Sequence, residues 1–135
     1  MSEKTELIDG KVLYFPRGCN NAPRKELLVQ FYANILESRS NNLNQVVSPA
    51  ITWKEIQNTS VEGAESIFVW LIERHKDIEE LNIESVITHG KEAAVKGTYT
   101  SNNELTYFCD IFKFKSAGKQ APIIEVTSYR MSDKV

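Results

Sequence analysis

The sequence predicts an α+β fold, with helices from its first half packed on one face of a curved antiparallel sheet. Two observations carry this. Apolar residues in 24–39 and 64–76 recur at helical spacing, whereas residues 78–131 form four strand-like runs separated by turn residues. Helices first and hairpin-linked strands afterwards are the pattern of a helix layer segregated to one side of an antiparallel sheet. A chain of 135 residues is the length of one domain, able to bury a sizeable core.

Residues 1–22 read as an arm and residues 23–135 as the domain proper. Asp9-Gly10 is a turn signal between Leu7-Ile8 and Val12-Leu13-Tyr14-Phe15, which makes the arm a short hairpin or a cover packed on the body. Asn20, Asn21 and Pro23 mark a helix start, through an Asx cap and a first-turn proline. The helix that follows carries Leu28, Phe31, Tyr32, Ile35 and Leu36 on one side. A brief second helix is expected over 41–47, ended by Pro49.

Residues 51–57 alternate as a strand, with Ile51, Trp53, Glu55 and Gln57 on one face. Asn58-Thr59-Ser60 reads as a turn, and Thr59-x-x-Glu62 has capping-box spacing for the next helix. That helix has Ile67, Phe68, Leu71, Ile72 and His75 as its apolar stripe. Strands over 78–89, 92–100, 104–115 and 123–131 complete the chain, with turns at Gly90-Lys91, Ser101-Asn102-Asn103 and 116–119.

The run E-L-T-Y-F-C-D-I-F-K-F-K is the most informative stretch. Alternation puts Phe108, Asp110, Phe112 and Phe114 on one face, and Tyr107, Cys109, Ile111 and Lys113 on the other. Burying a carboxylate among aromatic rings costs several kcal/mol unless it is paired or neutralised. Asp110 is therefore either an acid–base group in a cavity wall or the partner of a neighbouring Arg, Tyr or Trp. His89, at the end of a strand, is a second acid–base candidate, against the plainer reading of a turn contact. His75 is expected to meet the last carbonyls of its helix, and 73–77 to form a solvated helix end.

The ordered set I-T-W-K-E-I-Q, V-E-G-A-E-S-I, V-K-G-T-Y-T, Y-F-C-D-I-F-K-F and I-I-E-V-T-S-Y resembles the SnoaL-like branch of the NTF2-like superfamily over about residues 24–131. The arm L-I-D-G-K-V-L-Y-F-P, with C-N-N-A-P-R and T-H-G-K-E, resembles uncharacterised bacterial members. The resemblance implies a cone whose bent sheet wraps the helices around an internal apolar pocket, often in a dimer formed through the sheet. It places Trp53 on the pocket wall, and Tyr32, Glu55, Phe68, Phe108, Phe112 and Tyr129 join it as candidate ligand contacts. Many catalytic relatives carry an acid just before the tryptophan strand, where this chain reads Ser48-Pro49-Ala50. Asp110 or Glu55 would have to replace it. The fold serves isomerases, cyclases and hydrolases as well as binding proteins, so it leaves function open.

Composition narrows the partners. A net charge of -2 argues against nucleic acid, and no apolar run reaches the roughly 18 residues of a membrane span. The start M-S-E-K-T-E-L has no secretory pattern, so the expected location is cytoplasmic. Cys19 and Cys109 are too far apart for a metal motif, two histidines assemble no metal site, and no phosphate-binding glycine loop or nucleophile elbow occurs. The expectation is a small hydrophobic ligand, no cofactor and no metal.

Overall fold

A computed structural model describes residues 2–7, 10–19 and 22–132. In chain order the elements are β1 (Ser2–Glu6), β2 (Val12–Pro16), α1 (Pro23–Leu36), α2 (Ser40–Asn44), β3 (Val47–Glu55), β4 (Thr59–Glu62), α3 (Ala64–His75), β5 (Ile78–His89), β6 (Glu92–Ser101), β7 (Glu104–Phe114) and β8 (Ile123–Ser132). The eight strands form one curved, unclosed sheet in the order β1-β2-β5-β6-β7-β8-β3-β4. The expected α+β architecture is present, with helices on the concave face.

The β5–β8 meander is antiparallel, as the alternation predicts. The sheet as a whole is mixed, because β2 joins β5 and β3 joins β8 in parallel. Parallel neighbours need long crossovers: α1, α2 and α3 lie between β2 and β5, and α3 with β5, β6 and β7 lies between β3 and β8. The arm is a hairpin, β1 against β2, and it forms one edge of the sheet while burying Leu13 and Phe15 in the common core. Its Lys11 Nζ donates to the carbonyls of Lys76 (2.8 Å) and Ile78 (2.5 Å), just after α3.

Local details differ from the sequence reading in three places. The N-cap of α1 is Ala22, which has no capping side chain, while Asp9, Asn20 and Asn21 lie outside the described residues. The second helix stops at Asn44, and β3 starts at Val47 and runs through Pro49. Its pairing with β8 is interrupted between Val47 and Thr52, so the missing proline N–H falls where the ladder is already broken. Thr59 and Glu62 form no capping box. They pair with Glu55 and Thr52 as a strand, and Gly63 (φ 88°) starts α3.

The core lies between α1, α3 and the concave sheet face. Leu28, Phe31, Tyr32, Ile35 and Leu36 of α1 are all buried, as are Phe108, Asp110, Phe112 and Phe114 of β7. Cys109, on the opposite face of β7 from Asp110, is half-buried. Gly97 on β6 sits against β5, where the register shifts between Ile83 and Ser85. A Cβ at Gly97 would fall inside the van der Waals shell of the Asn82 carbonyl. Gly97→Ala is therefore expected to cost about 2–3 kcal/mol, read as a lower urea midpoint with an unchanged slope.

Candidate functional site

Asp110 occupies the middle of β7 on the concave face and is completely buried. Tyr32, reaching down from α1, donates its hydroxyl to Asp110 Oδ2 at 2.5 Å. Arg130 of β8 donates from Nη1 to Oδ1 at 3.0 Å. The sheet register explains the second contact. Asp110 faces Ser128 and Phe108 faces Arg130, so Arg130 approaches Asp110 on the diagonal. Three elements thus converge on one carboxylate, and each of its oxygens is engaged.

Burial is the main influence raising the Tyr32 pKa well above its usual value, and Asp110 adds to it, so the phenol remains a donor. Burial works against the charge on Arg130, but attraction from Asp110, with Tyr99 and Tyr32, outweighs it and raises the pKa. The guanidinium also lies 5.1 Å from the Phe108 ring centroid and 5.7 Å from that of Tyr99.

Beside this cluster is a cavity of about 10 Å³ walled by Tyr32, Trp53, His75, Tyr99, Phe108 and Arg130, with aliphatic residues around them. That is room for about one water, far below the roughly 300 Å³ at which small-molecule clefts begin. The interior is filled by its own rings: Phe31 stacks on Trp53 (6.2 Å), and Phe112 meets Phe31 edge-on (5.6 Å). Tyr99 and Arg130 also line a polar surface groove of about 430 Å³ with Arg74, Ser101, Glu104 and Thr106. These two side chains are shared by the outer groove and the inner cavity.

His75 is buried, as its place in the apolar stripe of α3 predicts, although the run 73–77 around it reads as solvated, and its Nδ1 lies 2.8 Å from the Leu71 carbonyl. A carbonyl only accepts, so Nδ1 carries the proton. Burial, followed by the charge of Arg130, lowers the His75 pKa from 6.5 to about 4. Glu55 is buried too, bonded to Arg74 and, at 3.0 Å, to the amide of Asn58. Among the described residues, Trp53 Nε1, Glu55 Oε2, Ser128 Oγ and Arg130 Nε are buried without a hydrogen-bond partner.

The structure brings Tyr32, Trp53 and Phe108 to the cavity wall, with Asp110 bonded to two of the wall residues. Phe112 lies in the packed core behind them. Glu55 faces inward but ends in its Arg74 pair rather than at the cavity. Phe68 is buried in α3 and borders a different groove, with Ser40, Asn44 and Val69. Tyr129 must be moved to the convex face, where it is 47% exposed, because Val126, Ser128 and Arg130 have the inward parity of β8. His89 is also displaced from the cavity. It pairs with Glu92 at the far end of the meander and borders a surface groove with Arg24, Lys25 and Lys119.

Sequence reasoning singled out neither Arg130 nor Ser128. Their signal was present in the spacing of Val126, Ser128 and Arg130, all two residues apart and in phase with Asp110 across the ladder. Among the described residues, no group of three or more His, Cys, Asp or Glu side chains could hold a metal, and no helix is long and apolar enough to cross a membrane.

No family model matches the sequence, and no curated protein matches it significantly. Solved structures do match. An NTF-2 like protein of unknown function from Burkholderia xenovorans LB400 aligns at TM-score 0.70 and 10% identity, covering 84% of this chain and 86% of that one. The fold is NTF2-like. A protein assigned as a ketosteroid isomerase from Kribbella flavida aligns at TM-score 0.71 and 12% identity, over 84% of this chain and 81% of its own. One assigned as a SnoaL-like polyketide cyclase from Shewanella denitrificans gives 0.66 and 15%, over 82% and 91%. At these identities the NTF2-like likeness is one of architecture.

Removing one partner of a buried ion pair leaves the other charge unpaired. Arg130→Met is expected to cost about 3–5 kcal/mol, and adding Asp110→Asn should recover part of that loss in urea unfolding. His75 makes a separate prediction. Its folded pKa is about 4 against an ordinary 6.5, so between these values the unfolded chain binds the extra proton and stability rises with pH. The contribution is complete above 6.5 and is lost as pH falls toward 4, by about 3 kcal/mol in all. His75→Gln should remove most of this slope; urea midpoints at pH 7 and pH 4.5, compared with wild type, test it.

Proposed function

We propose that this protein binds a small, mainly apolar molecule inside its cone, oriented by the Asp110–Arg130–Tyr32 cluster. The observation that carries the reading is a completely buried, ion-paired carboxylate set among aromatic rings beside a small cavity. Such a pair is weak evidence of stability, because apolar packing often holds a core equally well, so a binding role accounts for it better. The ligand enters when Tyr99 and Arg130 shift and join the 430 Å³ groove to the cavity. The resemblance to the SnoaL-like branch, and the isomerase and cyclase assignments of two similar structures, fit an interior ligand.

A second reading is cofactor-independent isomerase, cyclase or hydrolase chemistry with Asp110 as acid or base. What favours it is the reach of Asp110 to two cavity-wall residues, with neutral His75 as a further proton acceptor. What favours simple binding is that both oxygens of Asp110 already hold partners. The convex face suits a homodimer formed through the sheet: Tyr107 lies opposite Met131, both exposed, and Tyr129 is exposed beside them. A cytoplasmic location fits Cys19 and Cys109, which are both free thiols.

Native mass spectrometry with a mixed set of small lipids, steroids and aromatic compounds tests the reading. Wild type is expected to hold one small adduct per chain, and Asp110→Asn, once its fold is checked by thermal melting, to lose at least about tenfold in occupancy. Wild type without any adduct would refute interior binding. The same spectra report the dimer, which Tyr107→Lys should dissociate.

A further inference from the structure

The positive charges of the described residues are unevenly answered. Ion pairs neutralise Lys4, Arg39, Arg74, Lys76, Lys96 and Arg130. At the other end of α1 from the cavity, four basic side chains converge on one groove, and none of them has an ion pair among the described residues. They are Arg24 and Lys25 of α1, His89 at the end of β5, and Lys119 in the loop before β8. The groove holds about 310 Å³, near the roughly 300 Å³ at which small-molecule clefts begin. Arg24 fixes its shape. Nη1 donates to the Gly90 carbonyl at 2.8 Å and Nη2 to the Gly118 carbonyl at 2.6 Å, while the guanidinium lies 3.9 Å from the ring centroid of the buried Phe114. Both turns are thereby clamped to the start of α1. The carbonyls satisfy the N–H groups of Arg24 but bring no countercharge. Arg24 and Lys25 also stand in the first turn of α1, where the helix dipole repels cations. Two acids are close in the chain and outside the groove: Glu26 is exposed on α1, and Glu92, opposite His89 on the β5–β6 ladder, is exposed too.

We propose that this groove binds the phosphate group of a small soluble phosphate monoester. Concentrated positive charge with no internal partner selects an anion, and a phosphate dianion uses it best. Its terminal oxygens accept from several donors at once. Lys25 and Lys119 supply mobile point charges, Arg24 supplies a fixed one, and the Thr88 hydroxyl is a further donor in the lining. A carboxylate brings half the charge and fewer oxygens. Apart from Ala22, Pro23 and Ala117 the lining is polar or glycine, which suits a hydroxylated carbon skeleton better than a hydrocarbon chain. The site is independent of the cone interior. The cavity takes Ile35 and Leu36 from the far end of α1, roughly 17 Å along the helix from Arg24 at 1.5 Å per residue.

The test is a titration of ¹⁵N-labelled wild type at low ionic strength with inorganic phosphate, glucose 6-phosphate, glucose and benzoate. Glucose 6-phosphate is expected to bind at least about tenfold more tightly than glucose or benzoate, to move the amide resonances of Thr88, Gly90 and Gly118, and to weaken as salt is added. Inorganic phosphate should move the same resonances. The double variant Lys25→Gln with Lys119→Gln removes two charges that hold no bond in the fold; it should keep the wild-type Tm and lose at least about fivefold in affinity. Resonance shifts confined to other surfaces, equal binding of benzoate, or full affinity in the double variant would overturn the phosphate groove. No shift with either phosphate up to about 10 mM would overturn it as well. Phosphatidylcholine vesicles with and without phosphatidic acid form the last arm. Co-sedimentation with phosphatidic acid in a protein that soluble phosphates leave unmoved would overturn the soluble ligand and assign the groove to a lipid headgroup. None of these outcomes bears on interior binding.

Discussion

The interior of this protein depends on keeping one carboxylate charged in a place without solvent. Asp110 sits where an apolar residue would pack at no electrostatic cost, and it is tolerable only because Tyr32 and Arg130 arrive from α1 and β8 with well-placed donors. That requirement fixes the depth of α1 in the cone and the phase of β8 beside β7. A one-residue slip in β8 would send Arg130 to the convex face and leave Asp110 without its countercharge. The ion pair thus acts as a register pin.

The same constraint reaches outward through the guanidinium. Arg130 lies over Phe108 and Tyr99, and Tyr99 in turn meets the His75 ring edge-on at 5.9 Å. His75 adds no second charge, since burial keeps it neutral and its proton is held by the Leu71 carbonyl. Arg74, one residue earlier, points the other way and neutralises Glu55. Two ion pairs, Asp110–Arg130 and Glu55–Arg74, therefore neutralise the buried carboxylates of the β3–β8–β7 region.

Much of this was legible in the amino-acid order. The periods of 3.6 and 2 distinguish α1 and α3 from the meander, and the alternation around Asp110 gives its burial and its ring neighbours correctly. The inward side of Tyr32 follows from the helical period, whereas Trp53 was placed on the wall by the family resemblance. Pairing between distant segments was harder to read. The parallel junctions β2–β5 and β3–β8 depend on crossovers that local patterns do not encode, and β4 is too short to display an alternation. Tyr129 was misplaced because β8 mixes polar and apolar residues on both faces, so hydrophobicity alone does not set its phase. Arg130 was the cost of that error. A cone packed with its own aromatic rings, rather than an empty one, also lies beyond sequence patterning, since volumes add up only once the elements are docked.

The wall shared by the groove and the cavity has a kinetic meaning. Tyr99 and Arg130 separate the two spaces, and Arg130 is bonded to Asp110 when the wall is closed. Under the proposed interior binding, a molecule passing through would wait for a buried ion pair to part, and one inside would be retained until it parted again. Entry and exit would then be timed by the protein's own fluctuation rather than by diffusion. The residence of a guest would be long compared with its modest contact area, and its exchange would be little affected by ionic strength, because the charges that open the wall lie out of reach of salt.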